Sequence, residues 1–261
     1  MRLRKILISL SLAAGAVSTA YAAPISSKDW AFSAGVVQAD AEWLRLTKAE
    51  ESVSTANIQS IRSYGPSETI RIEFDYISWG GIRAGADGLA IYLFDADVPD
   101  AGTGGYTSSA LGYCRIAGGY IGIGLDEYGN FYQSCEGPVD GGRSPNSVTI
   151  RGPQAAKYGI VKNYPIADPL DCEGEKCKTR EEAIAAIGVK HVLAYLVPKA
   201  GAGYSVSLAI NGKMIISGAD YAYPAPARMR IGVSAANGSY TNNHEIRSLK
   251  AGGAAQCAKK I

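Results

Sequence analysis

From residue 69 to 79, apolar Ile70, Ile72, Phe74 and Tyr76 alternate with Arg71, Glu73 and Asp75. That is the two-residue period of a strand with one packed face and one wet face. Runs of strand length recur at 89–94, 120–125, 147–151, 191–197, 204–210, 213–217, 228–235 and 245–249, with glycine- or proline-rich turns between them. Asn211-Gly212 separates two such runs by two residues, the strongest short hairpin signal. Strands at this spacing predict an all-β sandwich. One helix interrupts the pattern, over 180–187: Thr179 and Glu182 are spaced as a capping box and Gly188 stands just past the end. It adjoins residues 163–178, which are rich in proline and charge, lack an apolar period, and read as an insertion running over the surface.

The first 22 residues have a different pattern. Arg2, Arg4 and Lys5 precede an apolar run over 6–16, and Ala20-Tyr21-Ala22 supplies small residues for cleavage, so 1–22 reads as a secretory signal peptide. No later run approaches the ~20 apolar residues of a membrane span. Without the signal, 23 basic residues face 24 acidic ones, a balance that does not point to nucleic acid. Residues 23–261 contain no linker-like stretch and read as a single domain. Export permits disulfides. Cys114 pairs with Cys135 around the 120–130 segment, Cys172 pairs with Cys177 across a tiny polar loop, and Cys257 is left over, as a free thiol or a handle for a partner. A zinc site is not expected, since no Cys-x-x-Cys pair occurs and only His191 and His244 are present.

The chemistry concentrates at 119–130, where an alternating strand runs into a turn with Asp126 and Asn130 four positions apart. A carboxylate, a backbone carbonyl and an amide oxygen on one short turn suit a hard cation such as calcium. The same residues also make an ordinary Asp/Gly/Asn turn that holds no ion, and this segment alone leaves both readings open.

Other segments fall into order with it: Gly85-Ala86-Asp87-Gly88-Leu89-Ala90, Gly102-Thr103-Gly104-Gly105-Tyr106, Leu111-Gly112-Tyr113, Ile231-Gly232-Val233-Ser234-Ala235-Ala236-Asn237-Gly238 and His244-Glu245-Ile246. Together with Leu44-Arg45-Leu46-Thr47 and residues 70–79, this set resembles the L-type lectins, the legume-lectin-like group, in a bacterial secreted form, from about Trp30 to Leu249. The resemblance implies a concanavalin A-like jelly-roll β-sandwich with one short helix in an insertion. It also implies calcium-dependent, non-covalent glycan binding. Asp87 would accept hydrogen bonds from sugar hydroxyls, after a cis peptide between Ala86 and Asp87. Gly105, or its neighbour Gly104, would bring a backbone N–H to the sugar. Asn130 would serve both metal and sugar; Asp126 and the Tyr128 carbonyl would hold the metal. Glu136, with Asp140 behind it, is the choice for a second metal carboxylate. Asn237-Gly238 is a sugar contact or simply a loop tip. Tyr128, Tyr132 and Tyr240 are candidates for an aromatic face, and His244 is expected to be structural or on the surface.

Plant members carry a glutamate two positions before the metal aspartate, and here that position is Gly124, so no transition-metal ion is expected. Glycanases share the architecture and need two carboxylates flanking the scissile bond. The chain has no Glu-x-Asp-x-x-Glu, and Asp126 and Glu127 are adjacent and would point apart, so the expectation is a non-enzyme. A lectin-fold scaffold whose sugar site has lapsed is the other reading. Weak single sites would favour multivalent display or oligomers; the location is the periplasm, the cell surface or the outside of the cell.

Overall fold

The computed structural model describes residues 24–82, 84–99, 108–133, 135, 142–173 and 176–253. Residues 1–22, Gly104, Gly105, Glu136, Asp140 and Cys257 lie outside the described residues. Fourteen strands are present among those described: β1 Trp30–Phe32, β2 Val37–Gln38, β3 Leu44–Thr47, β4 Ser54–Ser60, β5 Ile70–Ile82, β6 Gly88–Asp95, β7 Gly119–Asp126, β8 Ser147–Arg151, β9 Ile160–Pro165, β10 Lys190–Pro198, β11 Tyr204–Ile210, β12 Lys213–Tyr221, β13 Met229–Asn237 and β14 Thr241–Gly252. They form two seven-stranded antiparallel sheets, ordered β1-β4-β13-β6-β7-β8-β9 and β12-β11-β10-β5-β14-β3-β2. The single α-helix among the described residues, α1, is Arg180–Ile187. No helix among the described residues is long and apolar enough to cross a membrane.

The alternating run at β5 folds as its period requires. Ile70, Ile72, Phe74 and Tyr76 enter the core between the sheets, beside Val192, Ala194 and Leu196 of β10. On the wet face Asp75 takes Arg247 Nε and His191 Nδ1, each at 3.0 Å, pairs that contribute little to stability where water screens them. By contrast β6 and β7 are buried on both faces. Leu89, Ile91 and Leu93 face the main core, whereas Ala90, Tyr92 and Phe94 face a second cluster built from Leu111, Tyr113, Ile116, Phe131 and Tyr158. The alternating glycines of β7 follow from that second layer. A Cβ at Gly122 would lie 2.3 Å from the Tyr113 ring, and one at Gly124 equally close to Phe131. The disulfide between Cys114 and Cys135 ties this covering segment to the turn after β7, and Cys172 is joined to Cys177.

Some elements differ from the sequence reading. β4, Ser-Thr-Ala-Asn-Ile-Gln-Ser, has too few apolar positions to announce itself, yet it is paired on both sides, by β1 and β13. β12 and β14 run longer than their apolar cores because ladder pairing carries them through polar residues. Residues 163–165 belong to edge strand β9, where β8 supplies the ladder and Thr149 Oγ1 donates to Asn163 Oδ1 (2.7 Å). Beyond β9 the insertion runs over the surface at Ala167, Asp168, Pro169, Glu173, Lys176 and Lys178, but it is anchored inward by Leu170, Asp171, Cys172 and Cys177, which are buried. Trp43, Ile77 and Ala183 pack with that disulfide. Arg180 of α1 pairs with the fully buried Glu245 of β14, which Arg45 also reaches (2.7 Å). The helix begins with the expected capping box, in which Glu182 N donates to Thr179 Oγ1 (3.2 Å).

Candidate functional site

Three strand ends meet at one corner of the first sheet. Gly88, opening β6, lies opposite Asp126 at the end of β7 and opposite Ala236 near the end of β13. Asp87 immediately precedes this junction, and the Ala86–Asp87 peptide is cis, as the resemblance implied. Its backbone is held from both sides: Asp87 N donates to Ala236 O (2.9 Å), and Asp87 O accepts from Glu127 N (3.0 Å). Gly88 has φ +132°, and a Cβ there would meet Leu125 O at 2.2 Å, so only glycine allows the two strands to close at this point. The Asp87 side chain is itself buried, at 1% exposure.

Asp126 is fully buried and organises the turn that follows. Its Oδ1 accepts from Gly129 N (2.7 Å) and its Oδ2 from Tyr132 N (3.3 Å). Burial pushes its carboxyl up to about 8, with the nearby Asp87 adding to the shift and the Gly129 and Tyr132 amides opposing it. Raised in this way, the carboxyl holds its proton near neutral pH, and positive charge beside it, such as a bound cation, would favour the anion instead. Arg151, 2% exposed, supplies part of that charge. Its Nε donates to Phe131 O (2.8 Å) and its Nη1 to Tyr158 O (2.7 Å), which fixes the backbone just beyond Asn130.

The donor set of the turn is all oxygen: the Asp126 carboxylate, the Tyr128 carbonyl and the half-buried Asn130 amide. Such a set fits a hard cation. It contains one carboxylate, and no cluster of three His, Cys, Asp or Glu able to hold a metal occurs among the described residues. At position 124, where a glutamate would hold a transition metal, the Phe131 ring fills the space.

Asn237 and Gly238, read as a sugar contact or a loop tip, are buried where β13 turns into β14. Asn237 Nδ2 donates to Lys48 O (2.9 Å) and Glu51 O (3.1 Å), and Asn237 Oδ1 accepts from Asn242 N (3.1 Å). Gly238 N donates to Tyr240 O (3.1 Å), and both residues are buried. The amide is consumed in closing the β13–β14 loop, so the loop presents Ser239 and Tyr240 instead. Tyr240 packs on Tyr128 with ring centroids 5.2 Å apart, and the Arg143 guanidinium lies 4.0 Å from the Tyr128 centroid. Tyr132 is 37% exposed.

Beneath the corner lies a polar knot that the sequence reading missed. Glu127 turns away from Asp126 into the space between the sheets, where its Oε2 accepts from Ser78 Oγ (3.1 Å) and Asn242 Nδ2 (2.7 Å). His244 is fully buried, with Nε2 3.2 Å from Glu127 Oε2 and Nδ1 2.6 Å from Thr47 Oγ1. Ser, His and Glu meet here without a catalytic order, because the serine and the histidine both address the carboxylate and all three are sealed from solvent. Asn242 Nδ2 also donates to Asp171 Oδ2 (3.2 Å), which binds the insertion to the knot.

Burial, and then the charge of Glu127, push Asp171 up to about 7. A carboxyl raised above its unfolded value near 4 favours folding while protonated, so this contribution is complete below about pH 4 and is lost as pH rises through about 7. Asp171→Asn should therefore reduce the fall in unfolding free energy between pH 5 and 7.5, by a slope of up to about 1.4 kcal/mol per pH unit. Urea melts of both proteins in chelator measure it; an unchanged slope in the variant would mean that the proton resides elsewhere.

Neither a scan against protein-family models nor a search of curated proteins returns a match. Solved structures do match. The VIP36 exoplasmic/lumenal domain in its Ca2+- and mannose-bound form is 14% identical over 86% of this chain and 82% of that one, with a TM-score of 0.57. The Emp46p carbohydrate recognition domain in its potassium-bound form and the basic winged bean lectin with Tn-antigen are each 14% identical, over 88% of this chain and 95% of theirs, with a TM-score of 0.59. The fold is that of the L-type lectin domains.

Proposed function

We propose that this chain is an exported, non-catalytic protein that binds glycans through the corner formed by Asp87, the 126–130 turn and the Tyr128–Tyr240 face, with calcium ordering the turn. The observation that carries the reading is the convergence, at one set of strand ends, of the Asp87 carboxylate behind its cis peptide with the oxygen-bearing turn Asp126, Tyr128, Asn130. The binding of mannose by one structural neighbour and of Tn-antigen by another supports it.

A sugar edge presents hydroxyls that both donate and accept, so recognition needs a fixed acceptor beside a group with both capacities. The Asp87 carboxylate is the acceptor, and the Asn130 amide can donate to the sugar while its oxygen faces the ion. Gly105, or Gly104, is the proposed backbone donor. Asp126, the Tyr128 carbonyl, Asn130 and Glu136 would hold calcium, and its contribution is to hold the turn in one conformation before sugar arrives, which lowers the ordering cost of binding. Residues 1–22 would direct export, and 23–261 would form the one domain that carries the site.

A scaffold without sugar affinity is the competing reading, favoured by the single carboxylate that the described turn offers. A glycan array at high display density, with calcium and again with chelator, separates the two. Calcium-dependent signal on a related set of glycans is the expected result; silence in both conditions would leave the scaffold.

A further inference from the structure

We infer that the glycan this corner takes is anionic, and that Arg143 reads its carboxylate or sulfate; the inference rests on the glycan-binding reading above. Arg143 lies in the segment that leads into β8, and three bonds brace that segment. Ser144 N donates to Gly129 O (3.1 Å), Asn146 N to Glu127 O (3.2 Å) and Asn163 Nδ2 to Ser144 Oγ (2.8 Å). Contact with the turn is close: a Cβ at Gly129 would lie 2.4 Å from Pro145 N. The arginine is thus mounted on the same loop that carries Asn130, and its place there does not depend on its own side chain.

The side chain is exposed, and its guanidinium lies 4.0 Å from the centroid of the Tyr128 ring. Among the described residues it forms no ion pair. Among the described residues, Arg45 and Arg180 are spent on Glu245, and Arg151 on the carbonyls of Phe131 and Tyr158. A guanidinium over an aromatic ring retains N–H groups that can grip a carboxylate or sulfate by two parallel bonds. The Tyr128–Tyr240 pair beside it provides the apolar surface on which a sugar ring lies. A neutral sugar would use the rings, Asp87 and Asn130 and leave this cation idle. The acid group would have to project away from the buried Asp87 and Asp126, toward Arg143, so the surface selects an acid at one edge of the sugar.

The test compares matched pairs on one array, with calcium present: oligogalacturonate against its carboxyl-reduced form, sialylated against desialylated glycan, and sulfated against desulfated glycan. The expected result is a preference of about tenfold or more for at least one acidic partner, weakened by added salt. Arg143→Gln should bring that acidic glycan to the affinity of its neutral partner, and Arg143→Lys should restore only part of the difference, with melting curves confirming that both variants fold. Equal binding of acidic and neutral partners by the unaltered protein overturns the inference and leaves the glycan reading standing. An acid preference that survives Arg143→Gln also overturns it. Absence of binding to every pair overturns the glycan reading and the inference with it. Preference for the carboxylate pairs or for the sulfate pair identifies the acid.

Discussion

Asp87→Asn should lower glycan affinity by about 100-fold or more while leaving the fold intact. A carboxylate that accepts two hydroxyl hydrogen bonds contributes about 1.5–3 kcal/mol through each, and every 1.4 kcal/mol is a factor of ten. Asparagine keeps the shape but removes the charge and places an N–H₂ against hydroxyls that were donating. The backbone of this residue is held by Ala236 O and Glu127 N, and the substitution preserves both bonds. Calorimetric titration of a glycan chosen from the array measures the loss, and a melting curve checks the fold. Wild-type affinity in a folded Asp87→Asn protein would move the binding site away from this corner.

Glu127→Ala should cost about 3–5 kcal/mol of stability, the range for deleting one member of a buried charged cluster. The loss strands Ser78 Oγ and Asn242 Nδ2, both of which donate to Oε2, and leaves His244 Nε2 without its carboxylate, all in a space closed to water. For a domain of this size the melting temperature should fall by roughly 10 °C. Glu127→Gln retains an acceptor oxygen and should fall between the two. A loss under about 1 kcal/mol for the alanine variant, measured by urea unfolding, would show that water enters and satisfies the knot.

Much of the scaffold was legible in the chain. The alternation of 70–76, the apolar runs of β6 and β7, the Asn211-Gly212 hairpin and the Thr179/Glu182 capping box all depend on residues within a few positions of one another. The Cys172–Cys177 pairing was legible for the same reason of proximity, and Cys114–Cys135, 21 positions apart, because the two cysteines bracket the β7 strand and its turn. β4 was not, since a strand with strands on both sides draws its order from the ladders and needs few apolar side chains of its own.

The site divides along the same line. Asp126 and Asn130 could be singled out as candidates because they stand four positions apart on one turn, and Asp87 because it stands inside a run of glycine and alanine that the lectin resemblance makes meaningful. Asn237 looked like an outward loop residue; its inward turn depends on Lys48 and Glu51 carbonyls nearly 200 residues away in the chain. Arg143 and Arg151 carry no local pattern that separates them from any other arginine.

The sequence by itself determined the period of the strands, the helix with its cap and the oxygen chemistry of the 126–130 turn, because backbone geometry and short-range polarity act between neighbours in the chain. Only the tertiary structure decided which way each polar side chain turned. Glu127 reaches Ser78 across 49 positions and His244 across 117, and Tyr128 meets Tyr240 from another loop. A polar side chain committed to a closed space must find its partner there, whatever its distance in sequence, and the packing of one sheet on the other chose those partners.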